Sequence, residues 1–138
     1  MLFRSSLQES AGTNVRSYTA RVLSSGGQAG ATSEAFQLTV DTFAPQITVD
    51  SLDTFDTTPL LGGTVNDPAA QVTVTLAGLT RTAVNNGAGR WSLQWDTPLA
   101  SGQTYDVLAT ALDAAGNSGN DTSSNELILR TEIGRAHV

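Results

Sequence analysis

An all-β sandwich, two sheets packed face to face, is the fold class this sequence predicts, and three observations predict it. Short segments of alternating apolar and polar residues recur along the chain. Clusters of Gly, Asn, Asp, Ser and Pro separate them, and no stretch carries the 3.6-residue apolar period of an amphipathic helix. The 138 residues include no cysteine, all seven basic residues are arginine, and the only histidine is His137. A hydrophobic content of 39% supplies a packed core, while no apolar run approaches the roughly 20 residues a membrane span needs. A net charge of -6 argues against nucleic acid and anionic membrane as partners.

The elements follow in order. Residues 46–50 alternate, with Ile47 and Val49 on one face, and Leu61, Gly63 and Val65 share a face in the next segment. Residues 71–76 alternate apolar with Gln and Thr. A weaker strand at 80–84 closes at Asn85-Asn86-Gly87, a hairpin signal because Asn and Gly accept positive φ. Residues 90–95 place Trp91, Leu93 and Trp95 on one face, and 104–112 place Tyr105, Val107, Ala109 and Ala111 together. Residues 125–130 carry Leu127 and Leu129. Seven short strands within about 88 residues are the count and length of an immunoglobulin-like seven-strand β-sandwich.

The stretch before this domain repeats its end. A shift of 89 residues (Leu38 onto Leu127) lays Leu38-Thr39-Val40 on Leu127-Ile128-Leu129 and Tyr18, Ala20 and Val22 on Val107, Ala109 and Ala111. Tyr18 meets Tyr105 only across a two-residue gap. Residues 6–42 are therefore expected to be the last two strands of an incomplete neighbouring copy, and residues 43–131 one complete copy. A period of whole-domain length describes a tandem array rather than a solenoid. The ends look foreign: Met1-Leu2-Phe3-Arg4-Ser5 and Glu132-Ile133-Gly134-Arg135-Ala136-His137-Val138 resemble translations of short-read sequencing adapters. Residues 1–5 and 132–138 are accordingly expected to be non-native tails on an internal fragment of a longer protein.

The motifs now support a family. Asp41-Thr42-Phe43-Ala44-Pro45, Asp56-Thr57-Thr58-Pro59 and Gly63-Thr64-Val65-Asn66-Asp67-Pro68 follow the order of tandem bacterial Ig-like repeats. So do Gly89-Arg90-Trp91-Ser92-Leu93, Leu99-Ala100-Ser101-Gly102-Gln103-Thr104-Tyr105 and Asp113-Ala114-Ala115-Gly116-Asn117, and the resemblance spans about residues 17–131. It implies an extender module of a large bacterial surface adhesin or secreted repeat protein, extracellular, with neighbouring repeats of the same chain as its contacts. A host or surface receptor would then be bound through other domains. Several lineages of the family bind calcium between domains. Two other roles fit the same fold: a glycan- or protein-binding module, and an accessory domain of a secreted polysaccharide-degrading enzyme.

The carboxylates are the one chemically suggestive set. In such a sandwich the loops after the second and sixth strands lie at the pole where the first strand begins, which gathers Asp67 and Asp113 near the linker that carries Asp41. Three carboxylates at one junction repel unless a cation sits among them, and hard oxygen ligands suit Ca²⁺. Ordinary turn chemistry is the competing explanation, because Asp and Asn dominate tight turns for local hydrogen-bonding reasons. Asp53 and Asp56 are expected beside Asp96 at the opposite pole as a solvated acidic loop. Trp91 and Trp95 would form a sugar-stacking platform if they faced outward, but their alternation with Ser92 and Gln94 suits the core. Tyr105 resembles the corner tyrosine of such sandwiches, a folding role. The serines have no histidine or lysine to activate them, apart from the tail residue His137, so the expectation is no enzyme.

Overall fold

The structure is a computed structural model that describes residues 13–18, 20–23, 26–27 and 29–132. Of the two expected tails, only Glu132 falls among these. Every regular element there is a strand, and the chain divides into two compact units, Met1–Phe43 and Ala44–Val138.

In the first unit, β1 (Thr13–Tyr18) pairs antiparallel with β4 (Phe36–Asp41), and β2 (Arg21–Leu23) pairs with β3 (Ala29–Thr32). Gly27, at φ 81°, takes the left-handed conformation at the tip. In the second unit the strands are β5 (Leu52–Thr54), β6 (Leu60–Thr64), β7 (Gln71–Leu76), β8 (Leu79–Asn85), β9 (Arg90–Gln94), β10 (Gln103–Tyr105), β11 (Leu108–Leu112), β12 (Ser118–Asn120) and β13 (Leu127–Leu129). One sheet runs β10-β13-β5, the other β12-β11-β7-β8-β9-β6. These are the two layers of an immunoglobulin-like sandwich.

The pairings of the two units correspond under the same shift. Shifted by 89 residues, the pairs Asn14↔Val40, Val15↔Thr39 and Arg16↔Leu38 become Gln103↔Leu129, Thr104↔Ile128 and Tyr105↔Leu127, which are the three pairs of β10 with β13. Leu23↔Ala29 becomes Leu112↔Ser118, and Gly27 lands on Gly116, also left-handed at φ 93°. The register thus follows the ungapped alignment and sets Arg16, not Tyr18, in the place of Tyr105.

The core of the second unit is made by the inward positions read from alternation: Ile47, Leu61, Val65, Val72, Val74, Leu76, Trp91, Trp95, Val107, Ala109, Ala111, Leu127 and Leu129 are all buried. Burying the two tryptophans alone removes enough apolar surface for about 4–6 kcal/mol each. Trp91 fits because Gly63, directly across the ladder, has no side chain. A Cβ there would stand 2.7 Å from the indole Nε1 and 1.9 Å from the Thr48 carbonyl oxygen. The Trp91 indole instead donates to that carbonyl at 2.8 Å.

Three strands differ from the sequence expectation, each for a physical reason. Residues 46–50 lie along β6 through Thr48 N–H to the Thr64 carbonyl and Asp50 N–H to the Gly62 carbonyl, both at 2.9 Å, with one bridge at Ile47↔Val65. The chain then crosses to the other sheet, so Asp53, expected in a loop, lies on β5 in parallel pairing with β13. The sixth strand, expected to be continuous, breaks between β10 and β11, where the Val107 N–H turns to the Glu126 carboxylate at 3.0 Å. That break lets β10 pair with β13 in one sheet and β11 with β7 in the other. Ser118–Asn120, outside the seven expected strands, forms the edge strand β12.

Candidate functional site

Pairing of Leu112 with Gln71 sets the end of β11 beside the start of β7. The loops holding Asp67 and Asp113 therefore share one end of the second unit. The chain also enters there. Gln46 N–H donates to Asn66 Oδ1 at 2.8 Å, Asn66 N–H returns a bond to the Gln46 carbonyl at 3.1 Å, and the Pro45 carbonyl packs against Gly119 of β12. Asn85 ties the same end together, its amide donating to the carbonyls of Asp67 at 2.9 Å and Ala70 at 3.0 Å.

Each carboxylate at the predicted metal site is engaged by its own turn. Asp67 Oδ1 accepts the Ala69 N–H at 2.8 Å, and in the first unit Asp41 Oδ1 accepts the Phe43 N–H at 3.0 Å. Asp113 is the most heavily bonded. Its Oδ1 accepts the N–H groups of Ala115 at 2.9 Å and Asn117 at 2.8 Å, and its Oδ2 accepts the Asn117 side-chain amide at 2.9 Å. The Asn117 side-chain bond is the largest cause holding the Asp113 carboxyl below its ordinary 3.8, outweighing partial desolvation, with backbone N–H groups adding to it. Such Asx turns use the carboxylates as local acceptors. Among the described residues, no group of three or more His, Cys, Asp or Glu side chains is gathered so as to hold a metal ion.

At the far end the acidic residues are largely matched by arginine rather than merely solvated. Arg130 grips Asp53 with Nε to Oδ1 at 2.6 Å and Nη2 to Oδ2 at 2.5 Å, a bidentate fork that lowers the Asp53 pKa. Asp96 is lowered first by the Thr97 hydroxyl and further by Arg81, whose Nε lies 3.4 Å away. Arg81 also stacks 5.7 Å from the Trp95 ring centroid. Asp56 turns inward on its own loop, accepting the Thr58 N–H at 2.9 Å.

The aromatic residues have structural posts. Trp91 and Trp95 are each 1% exposed, so neither offers a stacking surface to a sugar. The Tyr105 hydroxyl donates to the Ala100 carbonyl at 3.1 Å and accepts the Ala100 N–H at 3.0 Å, the geometry of a corner tyrosine. The sequence reading missed Glu126, 3% exposed, which accepts the Val107 N–H at 3.0 Å and the Ser123 hydroxyl at 2.7 Å. Its only signal was a charged residue directly before the apolar Leu127-Ile128-Leu129 run. Each of these two polar side chains, Tyr105 and Glu126, is engaged by a hydrogen bond within the fold.

No curated protein matches the chain. The family model described as a bacterial Ig-like domain matches residues 47–128, from the first core residue, Ile47, to β13. With more than half its length matched, and with two sheets, a corner tyrosine and a buried tryptophan pair in its fold, the chain belongs to the bacterial Ig-like domain family.

Proposed function

We propose that this chain is a piece of a non-catalytic extender in a large bacterial cell-surface or secreted repeat protein, with residues 6–42 closing one repeat and 43–131 forming the next. Domains of this family are typical of surface and secreted proteins. One observation carries the proposal: β5 and β13 pair in parallel, through Leu127↔Leu52, Ile128↔Asp53 and Leu129↔Thr54. The chain therefore enters the sandwich at one end and leaves at the other. Copies joined in series add length instead of folding back on one another. Receptor or surface contacts would fall to other domains of the full protein.

The test is small-angle scattering on arrays of one, two and four copies of residues 43–131. The maximum dimension should rise linearly with copy number. Arrays that compact as copies are added would refute the extender reading.

Calcium at the junction is the finer part of this proposal. Its support is the shared location of Asp67 and Asp113 at the entry end, with Asp41 four residues before Pro45. A bound Ca²⁺ would have to compete with the turn N–H groups that already hold these carboxylates, taking carbonyls and water to complete six to eight oxygens. Scattering curves of the original chain, which carries Asp41 ahead of residues 43–131, that coincide with calcium and with chelator would remove the cation and leave the extender reading standing.

A further inference from the structure

Asn86-Gly87 is the one Asn-Gly pair in the sequence, and it lies exposed at the tip of the β8–β9 hairpin. Asn86 N–H donates to the Arg90 carbonyl at 2.9 Å, and Asn86 Oδ1 accepts two main-chain donors, the Ala88 N–H at 2.8 Å and the Arg90 N–H at 3.1 Å. The side-chain oxygen is therefore held, while the amide nitrogen of this exposed residue makes no bond among the described residues. Neighbouring asparagines differ. The Asn85 amide nitrogen donates to the carbonyls of Asp67 and Ala70, the Asn117 amide nitrogen donates to Asp113, and Asn66 is followed by Asp67 rather than glycine. Gly87, at φ 73°, has no side chain to screen its main-chain nitrogen. Beyond its chain neighbours, a Cβ there would meet nothing closer than the Pro68 carbonyl oxygen at 4.0 Å.

We propose that Asn86-Gly87 is a self-modification site that adds a carboxylate to the end of the domain where the chain enters. The Gly87 nitrogen, its proton taken by hydroxide, bonds to Asn86 Cγ. The two N–H groups on Oδ1 stabilise the oxyanion of the tetrahedral intermediate, as preorganised donors do in acyl transfer. The Cγ–Nδ2 bond then breaks, and ammonia leaves with a proton from water, closing a five-membered succinimide. Water opens that ring at either carbonyl, giving aspartate at position 86 or an isoaspartate whose main chain runs through Cβ. One water is consumed and one ammonia released, with no change of oxidation state. The new carboxylate arises beside the loop that holds Asp67, because the Gly89 carbonyl accepts the Val65 N–H at 3.1 Å and Asn85 ties the hairpin to Asp67 and Ala70. An isoaspartate also displaces the acceptor of the Ala88 and Arg90 N–H groups and loosens the tip. This chemistry belongs to the domain alone and does not depend on the extender reading.

The test holds the original chain in mildly alkaline buffer, samples it over weeks and cuts it at arginine, which releases residues 82–90 as one peptide. That peptide should gain about 1 Da and split into two species, one of which takes a methyl group from S-adenosylmethionine when protein isoaspartyl methyltransferase is added. Fragmentation in the mass spectrometer should place the change on Asn86. Gly87→Ala should slow the reaction by about 10-fold or more, because its methyl group screens the nitrogen. Asn86→Gln, which would need a larger ring, should abolish it. The chain unfolded in urea should react no faster than the folded chain, because unfolding removes the two N–H donors. No mass gain at 82–90, a gain on Asn85 instead, or a full-rate reaction in Gly87→Ala would overturn the proposal. A reaction about 10-fold faster in urea would also overturn it, by making the turn a protection of the amide.

Discussion

Adjacent glycines on β6 offer a controlled test of how the first segment is held. A Cβ at Gly62 would meet the Trp91 carbonyl oxygen at 3.2 Å, a contact that a shift of a few tenths of an ångström relieves. A Cβ at Gly63 would lie 1.9 Å from the Thr48 carbonyl oxygen, which is main chain and must recede by about 1 Å or more to reach contact distance. That retreat breaks two bonds at once: Thr48 N–H to the Thr64 carbonyl at 2.9 Å, and the Trp91 indole to the Thr48 carbonyl at 2.8 Å. The first loss costs about 0.5–1.5 kcal/mol, and a buried indole N–H left unpaired costs about 1–3 kcal/mol. Crowding of the indole itself, 2.7 Å from the new methyl, adds about 1–3 kcal/mol. Against these, Ala for Gly returns about 0.4–1 kcal/mol of chain entropy. Gly63→Ala should therefore destabilise by about 2–7 kcal/mol, and Gly62→Ala should change stability by less than about 1 kcal/mol. Both tryptophans lie in the second unit, so urea titration followed by indole fluorescence reads this domain alone. Equal midpoints for the two variants would refute the claim that segment 46–50 is pinned against β6.

Three further outcomes follow from the same packing. Trp91→Phe and Trp95→Phe remove the same volume, but Trp91 loses its bond to Thr48 while Trp95 loses an indole N–H that has no partner among the described residues. Trp91→Phe should cost more by about 2 kcal/mol, and equal costs in chemical denaturation would contradict the hydrogen-bond assignment. Ala77, at φ 51° in the two-residue turn with Gly78 between β7 and β8, stands in the left-handed region that favours Asn. Ala77→Asn should raise thermal stability by about 0.5–1 kcal/mol, and a fall in the melting temperature would count against this turn geometry. The folded-state pKa values of Asp53, Asp96 and Asp113 lie below 3.8. Their stabilisation is thus complete above that pH and lost as pH falls through the lower folded values. Melting temperature should drop below about pH 4, and Asp113→Asn should flatten that drop, whereas an unchanged slope would exclude Asp113 as a contributor.

The sandwich was legible because its signal is local and periodic. Strand β7 has the bounds its alternation implied, and Trp91, Leu127 and Leu129 are buried where parity placed them. The correspondence of the β1–β4 and β10–β13 registers under the 89-residue shift follows from the same parity. What sequence could not display was the handover between sheets. Leu52-Asp53-Thr54 alternates no better than a turn, and becomes β5 only because β13 arrives 75 residues later to pair with it. Val107 sits in an unbroken apolar alternation, and its departure from the ladder depends on a carboxylate 19 residues downstream. At the candidate site, sequence gave Asp67 and Asp113 a common end of the domain. It left undecided how their oxygens are spent, because Asx turns and cation ligands draw on the same residue types. The matching of Asp53 by Arg130 also went unread, as the two are 77 positions apart.

The parallel β5–β13 pair also determines how the domain would bear load. Tension applied at the two ends of the chain pulls these strands lengthwise past each other, in shear. The Leu52 N–H to Glu126 carbonyl bond at 2.6 Å, the Arg130 N–H to Thr54 carbonyl bond at 2.9 Å and the Arg130–Asp53 fork then resist together. An antiparallel terminal pair would peel open one bond at a time. A module assembled this way yields in a single step after sustaining force, rather than strand by strand.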